Sequence, residues 1–181
     1  MNLRHKALGV VKPASFRYKV GDEGRGRVMA SGSKNPARNL NTPGVRWISL
    51  TSAIDERGSL VAGQVFDQIP FSVARFFLVF DVPSRQVRGA HAHRECHQFL
   101  VAAHGSVSVM VTDGSASDEV VLDSPNQGLY VPPMIWGVQH QHSPSSTLMV
   151  LASHKYEATD YIRDFESFLA ERGSLKKMES H

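Results

Sequence analysis

Short apolar runs separated by turn-forming residues make up most of the chain from Arg46 onward. The runs are rich in β-branched and aromatic residues and recur roughly every ten residues, a pattern that predicts an all-β sandwich or barrel. They read RWISL, ARFFLVFDV, CHQFLVAA, SVSVMVTD, EVVLD, GLYVPP and TLMVLAS. The run ARFFLVF is apolar on both faces, so we expect it to be a strand buried inside a double-sheet arrangement.

A single helical pattern stands near the C-terminus, in the segment TDYIRDFESFLAERG. Its apolar side chains recur at helical spacing. They are Tyr161, Ile162, Phe165, Phe168 and Leu169. Thr159 or Asp160 is predicted to cap the N-terminus of this helix, and Gly173 is predicted to end it. The predicted fold class is therefore all-β with a short C-terminal α-helix.

The positive charge of the chain is concentrated at its start. The 181 residues carry a formal net charge of +3, with a sequence pI of about 9.2. Residues 1–46 hold ten Lys or Arg against two acids, a net +8, whereas residues 47–181 hold ten against fifteen, a net −5. The basic pI therefore comes from the first segment alone. The negative charge of residues 47–181 disfavours nucleic acid as a partner of the main domain, whereas the basic segment could still contact an anionic partner.

Composition also divides the chain into domains. Residues 1–44 lack a sustained apolar period and are rich in Gly, Ser, Asn and Pro, so we predict a flexible basic N-terminal extension. Residues 45–172 form the predicted β domain, and residues 173–181 a C-terminal tail. No apolar run approaches the roughly 20 residues of a membrane span, and no secretory segment is evident near Met1, so we expect a cytoplasmic protein without a membrane partner. The single Cys96 excludes a disulfide framework within the chain.

Two histidines are the candidate chemistry. Six of the nine histidines fall between residues 91 and 142. Because side chains alternate along a strand, His91 and His93 should point to the same face, and His97 should face the other way. An imidazole with a pKa near 6.5 suits proton transfer at neutral pH, so the pair can work as acid and base. The structural alternative is a pair of hydrogen-bonded core or surface histidines.

The spacing around these histidines resembles that of the cupins. His91, His93, Gln98 and Gly105 follow the first cupin motif, with Gln where an acid normally stands, and GLYVPPMIWGVQHQH resembles the second. A metal-binding cupin needs three imidazoles and usually a carboxylate on one centre. Gln98 brings no charge and Gly137 no ligand, and His140 would have to turn inward. We therefore predict no metal and no cofactor, with a metal-dependent cupin enzyme as an alternative.

A longer match is more specific. From about Trp47 to Phe168 the chain resembles the sugar 3,4-ketoisomerases that act on nucleotide-linked 4-keto-6-deoxyhexoses. The resemblance rests on RGAHAH with the following Gln, on GLYVPP, and on LAS followed by TDYIR. It implies a cupin double-stranded β-helix, or jelly roll, and a homodimer that exchanges N-terminal strands. It also implies an enzyme that needs no metal, as is usual in this family.

The reaction that the resemblance implies moves a ketone from C4 to C3 of a dTDP-linked 4-keto-6-deoxyhexose through an enediol, in the biosynthesis of deoxysugars for cell-surface glycans such as lipopolysaccharide. His91 and His93 are then the implied catalytic acid and base. The candidate substrate-binding residues are Arg75, Arg88, Gln98, Trp136 and His140.

The chain also departs from the family it resembles. Family members commonly carry Tyr where this chain has Phe76 and Phe77, and His where it has Gly137. These differences leave open a shifted substrate or stereochemical outcome, proton transfer by His91 and His93 alone, or a cupin that binds a nucleotide sugar without turning it over.

Overall fold

The structure is a computed structural model that describes residues 39–179, with side chains as far as residue 175. Residues 1–38, most of the predicted N-terminal extension, lie outside the described residues. The strands in chain order are β1 (Arg46–Ser49), β2 (Thr51–Asp55), β3 (Gly58–Ala62), β4 (Arg75–Phe80), β5 (Arg88–His93), β6 (Gln98–His104), β7 (Val107–Thr112), β8 (Ser117–Leu122), β9 (Gln127–Val131), β10 (Trp136–His140), β11 (Thr147–Ala152) and β12 (Tyr161–Ile162). A 3₁₀ turn, Ala158–Asp160, precedes β12, and the helix α1 (Phe165–Glu179) follows it.

Ten of these strands form two five-stranded antiparallel sheets. The first has the order β1-β9-β6-β11-β4 and the second β12-β5-β10-β7-β8, whereas β2 and β3 pair with each other in a separate hairpin. The inner faces of the two sheets meet in a fully buried aliphatic core that includes Leu100, Val109, Val111, Leu129 and Val150. The predicted all-β double-sheet architecture is confirmed.

The strand β4 is not buried on both faces, so the prediction for ARFFLVF is wrong. Phe77 and Val79 pack against the core, but Phe76, Leu78 and Phe80 are 68%, 46% and 58% exposed. The reason is position: Ile69 and Phe71 cover the outer face of β6 and β11, but β4 lies beyond them at the edge of the sheet, and its outward side chains have no covering layer in the described chain.

The C-terminal helix is displaced from its predicted position. Tyr161 and Ile162 form β12, which pairs with the end of β5, so backbone pairing replaces the helical turn that their spacing predicts. The helix begins at Phe165, after Asp164 accepts hydrogen bonds from the backbone N–H and the hydroxyl of Ser167, both at 2.8 Å. It continues through Gly173 instead of ending there. No helix in the described range is long and apolar enough to cross a membrane.

The segment just before β1 is attached to the second sheet. The backbone N–H groups of Asn41 and Thr42 donate to the carboxylate of Asp118 in β8 at 3.0 and 2.6 Å, and the Thr42 hydroxyl donates to the same carboxylate at 2.7 Å. Thr42 is almost fully buried. The polar composition of this segment does not predict such a contact, because the partner lies more than 70 residues away in the chain.

Candidate active site

The strand β5 carries both candidate histidines to the inside of the barrel. It pairs with β10 and β12, and its register against β10 shifts between Gly137 and Gln139. Gly89 lies at this irregularity with a φ of +66°, a conformation that glycine adopts without the penalty of a Cβ. Beyond it the strand alternates regularly, so His91 and His93 share one face, as predicted from their spacing.

The two imidazoles are in hydrogen-bond contact. The Nε2 atoms of His91 and His93 lie 3.1 Å apart, and the second nitrogen of His93, Nδ1, lies 2.6 Å from the carboxylate of Asp160. Because a carboxylate only accepts, His93 donates from Nδ1 and presents a lone pair at Nε2. The backbone N–H of Glu95 donates to the other oxygen of Asp160 at 2.7 Å and fixes the carboxylate in place.

Gln98 completes the polar side of a narrow cavity behind the histidines. Its amide nitrogen lies 3.1 Å from Nε2 of His93, consistent with donation to that lone pair. The cavity holds about 20 Å³ of free space, and Leu100, Val109 and Val111 are among the side chains that form its apolar wall. Such a volume accommodates about one water molecule or a single small polar group.

An aromatic ring covers the histidine pair from β12. The ring of Tyr161 is centred 4.3 Å from that of His93 and 4.9 Å from that of His91, and its hydroxyl accepts a hydrogen bond from the guanidinium of Arg75 at 3.1 Å. The guanidinium of Arg163 stacks over the same ring at 4.4 Å. Two cations and a phenol hydroxyl therefore surround the outer side of the pair.

Burial keeps both imidazoles neutral at physiological pH. Loss of solvation, with smaller contributions from His93 and Arg163, lowers the pKa of His91 to about 4. Desolvation also lowers the pKa of His93, although its hydrogen bond to Asp160 acts in the opposite direction. Burial opposes ionisation of Asp160, but the hydrogen bonds from Glu95 and His93 outweigh it and hold the pKa of that carboxyl below its usual value. The site therefore contains a neutral pair supported by a carboxylate.

One group of donor atoms at this site has the composition of a metal site. The donor atoms of His93, Cys96 and Asp160 all lie within 4.8 Å of one another. His140 is not part of this group, so the third imidazole that a metal-binding cupin would need from β10 is not supplied by that residue. His93 and Asp160 are already bonded to each other at 2.6 Å, which uses one ligand atom of each.

Three of the sequence-predicted substrate-binding residues lie away from the cavity. Trp136 is buried against Phe165 and Phe168 of α1, with ring centroids 5.1 and 5.7 Å away. His140 pairs with Glu119 at 3.2 Å and does not line the cavity. Arg88 is exposed at the start of β5. The structure does bring Arg75 and Gln98 to the histidine pair, as proposed from the sequence.

Sequence reasoning missed two residues that contact the histidines. The local pattern predicts a helix here, with Thr159 or Asp160 as its N-cap and Tyr161 on its apolar face. Both fall within TDYIR, one of the motifs that carries the family resemblance, and a functional reading of that motif would have singled them out. The spacing pattern alone could not, because β12 reaches β5 only through tertiary pairing.

Comparison with known proteins agrees with this architecture. Residues 43–173 match the family model described as FdtA: WxcM-like, C-terminal. A TDP-4-oxo-6-deoxy-alpha-D-glucose-3,4-oxoisomerase from Aneurinibacillus thermoaerophilus is 45% identical over 121 residues, which are 67% of this chain and 87% of that protein.

Solved structures give the same result. A 3,4-ketoisomerase from Helicobacter canadensis superposes with a TM-score of 0.70 at 32% identity, covering 75% of this chain and 99% of the other. The sugar 3,4-ketoisomerase QdtA from Thermoanaerobacterium thermosaccharolyticum, solved in complex with TDP, has a TM-score of 0.70 at 30% identity, covering 72% and 95%. The resemblance seen in the sequence is confirmed, and the chain belongs to the FdtA, WxcM-like family of sugar 3,4-ketoisomerases.

Proposed function

We propose that this protein moves the ketone of a dTDP-linked 4-keto-6-deoxyglucose from C4 to C3. The substrate is proposed by analogy with the Aneurinibacillus relative, a TDP-4-oxo-6-deoxy-alpha-D-glucose-3,4-oxoisomerase. The observation that carries the mechanism is the chain of contacts from His91 through His93 to Asp160. It supplies a neutral base, a second imidazole within proton-transfer distance and a carboxylate that stabilises the charge formed on protonation.

The proposed reaction is a balanced proton transfer. One imidazole of the His91–His93 pair removes the proton from C3, and the electrons of that C–H bond form the C3–C4 double bond of an enediolate. The C3 hydroxyl proton is lost as the C3 carbonyl forms, and C4 and its oxygen each gain a proton. Because the two Nε2 atoms are 3.1 Å apart, a proton taken by one ring can pass to the other.

The charge that develops on the substrate oxygens needs a partner. Arg75 is the candidate, since its guanidinium already bonds the hydroxyl of Tyr161 beside both imidazoles. Tyr161 also brings a phenol hydroxyl to the site. Phe77, a position where the family commonly has Tyr, packs its ring against that guanidinium at 5.6 Å, whereas Phe76 faces outward. We infer that Arg75 binds the enediolate or a diphosphate oxygen.

We propose that the protein acts as a homodimer that exchanges N-terminal strands. The outward apolar side chains of β4 and the hairpin of β2 and β3 support this proposal. Ile54 and Leu60 of that hairpin are mostly exposed, and the two strands pair with no third strand in the described chain. A second copy that covers these side chains would remove the exposed edge. A cytoplasmic location, like the dimer, remains a prediction.

The test is exchange of the C3 proton. The purified protein is incubated with dTDP-4-keto-6-deoxyglucose in deuterium oxide, and we expect deuterium at C3 of the recovered substrate together with formation of the 3-keto product. Absence of exchange while the ligand is bound, as measured by calorimetry, would contradict catalysis and leave a nucleotide-sugar-binding module. An activity lost on chelation, with stoichiometric metal found by elemental analysis, would instead support the metal-dependent alternative.

A further inference from the structure

A gap lies beside His91 on the inner face of the second sheet. Gly137 of β10 is directly opposite His91 in the ladder, so the two residues face the same side of the sheet. Among the described residues, a Cβ at Gly137 would have one atom within 4 Å, the carbonyl oxygen of Gly89 at 4.0 Å. The space next to the imidazole of His91 is therefore open, and Gly137 borders the same cavity as the histidine pair.

The next inward side chain on β10 is Gln139. It borders the cavity, is only 8% exposed, and its carbonyl oxygen is buried without a hydrogen-bond partner in the described chain. The amide group of Gln139 packs against Gly89. A Cβ added at Gly89 would lie 2.8 Å from Nε2 of Gln139. Leaving a buried carbonyl unpaired is unfavourable, so the residue is suited to a ligand that brings a donor.

The size of the cavity limits which donor can enter. Its free space of about 20 Å³ accepts one small polar group and not a sugar ring. The ring must therefore remain at the histidines while a single substituent reaches inward. On a 4-keto-6-deoxyhexose linked through C1, the two free ring hydroxyls are at C2 and C3, and the C3 hydroxyl takes part in the reaction.

We propose that Gln139 is a specificity-determining residue that accepts a hydrogen bond from the C2 hydroxyl of the sugar, with Gly137 leaving the space through which that hydroxyl enters. The inference rests on the proposed isomerase function and deepens it. It makes the substrate class a keto sugar that retains its C2 hydroxyl and sets 2-deoxy sugars apart.

The experiment compares two substrates and two variants. The substrates are dTDP-4-keto-6-deoxyglucose and its 2-deoxy analogue. Gln139→Met keeps the length of the side chain but removes the amide. Gln127→Met is the matched control. Gln127 also lies on a strand and has a buried side-chain carbonyl oxygen with no hydrogen-bond partner among residues 39–179, but it does not border the cavity. Circular dichroism and thermal unfolding establish that both variants are folded.

We expect the wild type and Gln127→Met to prefer the C2-hydroxyl sugar by about tenfold or more in kcat/KM, as sites that bind a substrate hydroxyl do. In Gln139→Met the ratio of kcat/KM for the two sugars should approach one, because activity on the C2-hydroxyl sugar is lost. An unchanged preference in Gln139→Met, or no preference in the wild type, would overturn the proposal. The absence of a preference in the wild type is measured without any variant, so this test does not depend on how well Gln139→Met folds.

Failure of the subsite is separable from failure of the isomerase. Dissociation constants of the two sugars are measured in parallel by calorimetry. If the wild type binds but does not convert either sugar, the isomerase function fails, and the ratio of the two dissociation constants still tests Gln139. If the ratio of the two dissociation constants is the same in the wild type and in Gln139→Met, the subsite proposal is overturned. This is also the result expected if Gln139 binds only a water molecule and not the sugar.

Discussion

The histidine pair is the residue-scale feature on which catalysis is proposed to depend. We expect His91→Asn and His93→Asn each to lower kcat by about 10²-fold to 10⁴-fold, the usual contribution of general acid–base catalysis. His140→Asn is the matched control. Its imidazole contacts Glu119 instead of the cavity, so its kcat and KM should stay close to those of the wild type.

These rates are measured by formation of the 3-keto sugar, with circular dichroism as the check on folding. Near-wild-type kcat in both histidine variants would contradict the catalytic assignment. A large loss in His140→Asn would show that the substrate also extends to the surface near β8.

Asp160 is a positioning residue whose removal should change the pH profile. Protonation of the imidazoles removes the neutral base. Because burial lowers the pKa of His91 to about 4, the loss of activity on the acid side should begin well below pH 6.5. The Asp160 carboxylate raises the pKa of His93 against the lowering effect of burial. In Asp160→Asn the pKa of His93 should fall further, so the acid limb of kcat should move to lower pH while kcat drops at least about tenfold.

The control for this prediction is Asp164→Asn. Asp164 is also a hydrogen-bonded carboxylate, but it caps α1, where Asn is a comparable cap. Its pH–rate profile should therefore match that of the wild type. If the pH–rate profile of Asp160→Asn is the same as those of the wild type and Asp164→Asn, Asp160 has only a structural role.

The sequence was sufficient to find His91 and His93, because alternation along a strand is a local property. Asp160 could not be found in the same way, since it meets His93 from 67 residues away. The local pattern around Asp160 also fits a helix cap, but Tyr161 pairs with His93 and the helix begins only at Phe165, so Asp160 does not cap it. Local periodicity therefore predicts the imidazoles, and tertiary contacts determine what supports them.

At the scale of elements, α1 is held to the second sheet by an aromatic cluster. Trp136 and Phe168 are both buried in it, together with Ala92, Met134 and Ile162. We expect Trp136→Ala and Phe168→Ala each to lower the free energy of unfolding by about 3–5 kcal/mol, as for other buried aromatic residues. Neither should change the affinity for dTDP. The measurements are urea denaturation and calorimetry at a temperature where both variants are folded.

This pair separates packing from substrate binding at Trp136, which was a binding candidate from the sequence. If Trp136→Ala weakens the affinity for dTDP and Phe168→Ala does not, Trp136 has a binding role that its buried position does not reveal. Equal losses of stability with unchanged affinity would assign Trp136 to the core.

Strand identity was predictable at this scale and strand position was not. The predicted strands β6, β7 and β11 are all strands in the structure, but only β11 alternates between buried and half-buried side chains, whereas β6 and β7 are buried on both faces over most of their length. The double-apolar pattern of β4 has two causes that look the same in a sequence, a strand covered on both faces within one chain or an edge strand with an uncovered apolar face. Topology, which requires non-local pairing, distinguishes them.

On the scale of the whole molecule, the outer face of the first sheet is apolar across several strands. Phe76, Leu151 and Phe99 are cross-strand neighbours in one row, and Leu78, Met149 and Val101 in the next. Neighbours in a row face the same side of the sheet. Phe99 and Val101 are themselves buried against Ile69 and Phe71, so the exposed part of this face is β4, where Phe76, Leu78 and Phe80 are the exposed side chains. An exposed row of apolar side chains on an edge strand is typical of a protein–protein interface.

The dimer is therefore tested on β4. Leu78→Lys places a charge between Phe76 and Phe80, at the centre of the exposed side chains of β4, where Leu78 is 46% exposed. We expect it to weaken dimerisation by about 30-fold or more, the effect of changing a central interface residue. Val121→Lys makes the same change at a residue of matching exposure, 45%, on β8 at the edge of the other sheet. Its oligomeric state should equal that of the wild type.

Sedimentation equilibrium over a range of concentrations measures both dissociation constants. A wild type that sediments as a monomer, or a Leu78→Lys variant that dimerises as tightly as Val121→Lys, would contradict the proposed interface. If Leu78→Lys is monomeric and folded, its activity also shows whether one copy suffices for the reaction. Retained kcat would mean that the His91–His93 pair and its surrounding residues are complete within one chain.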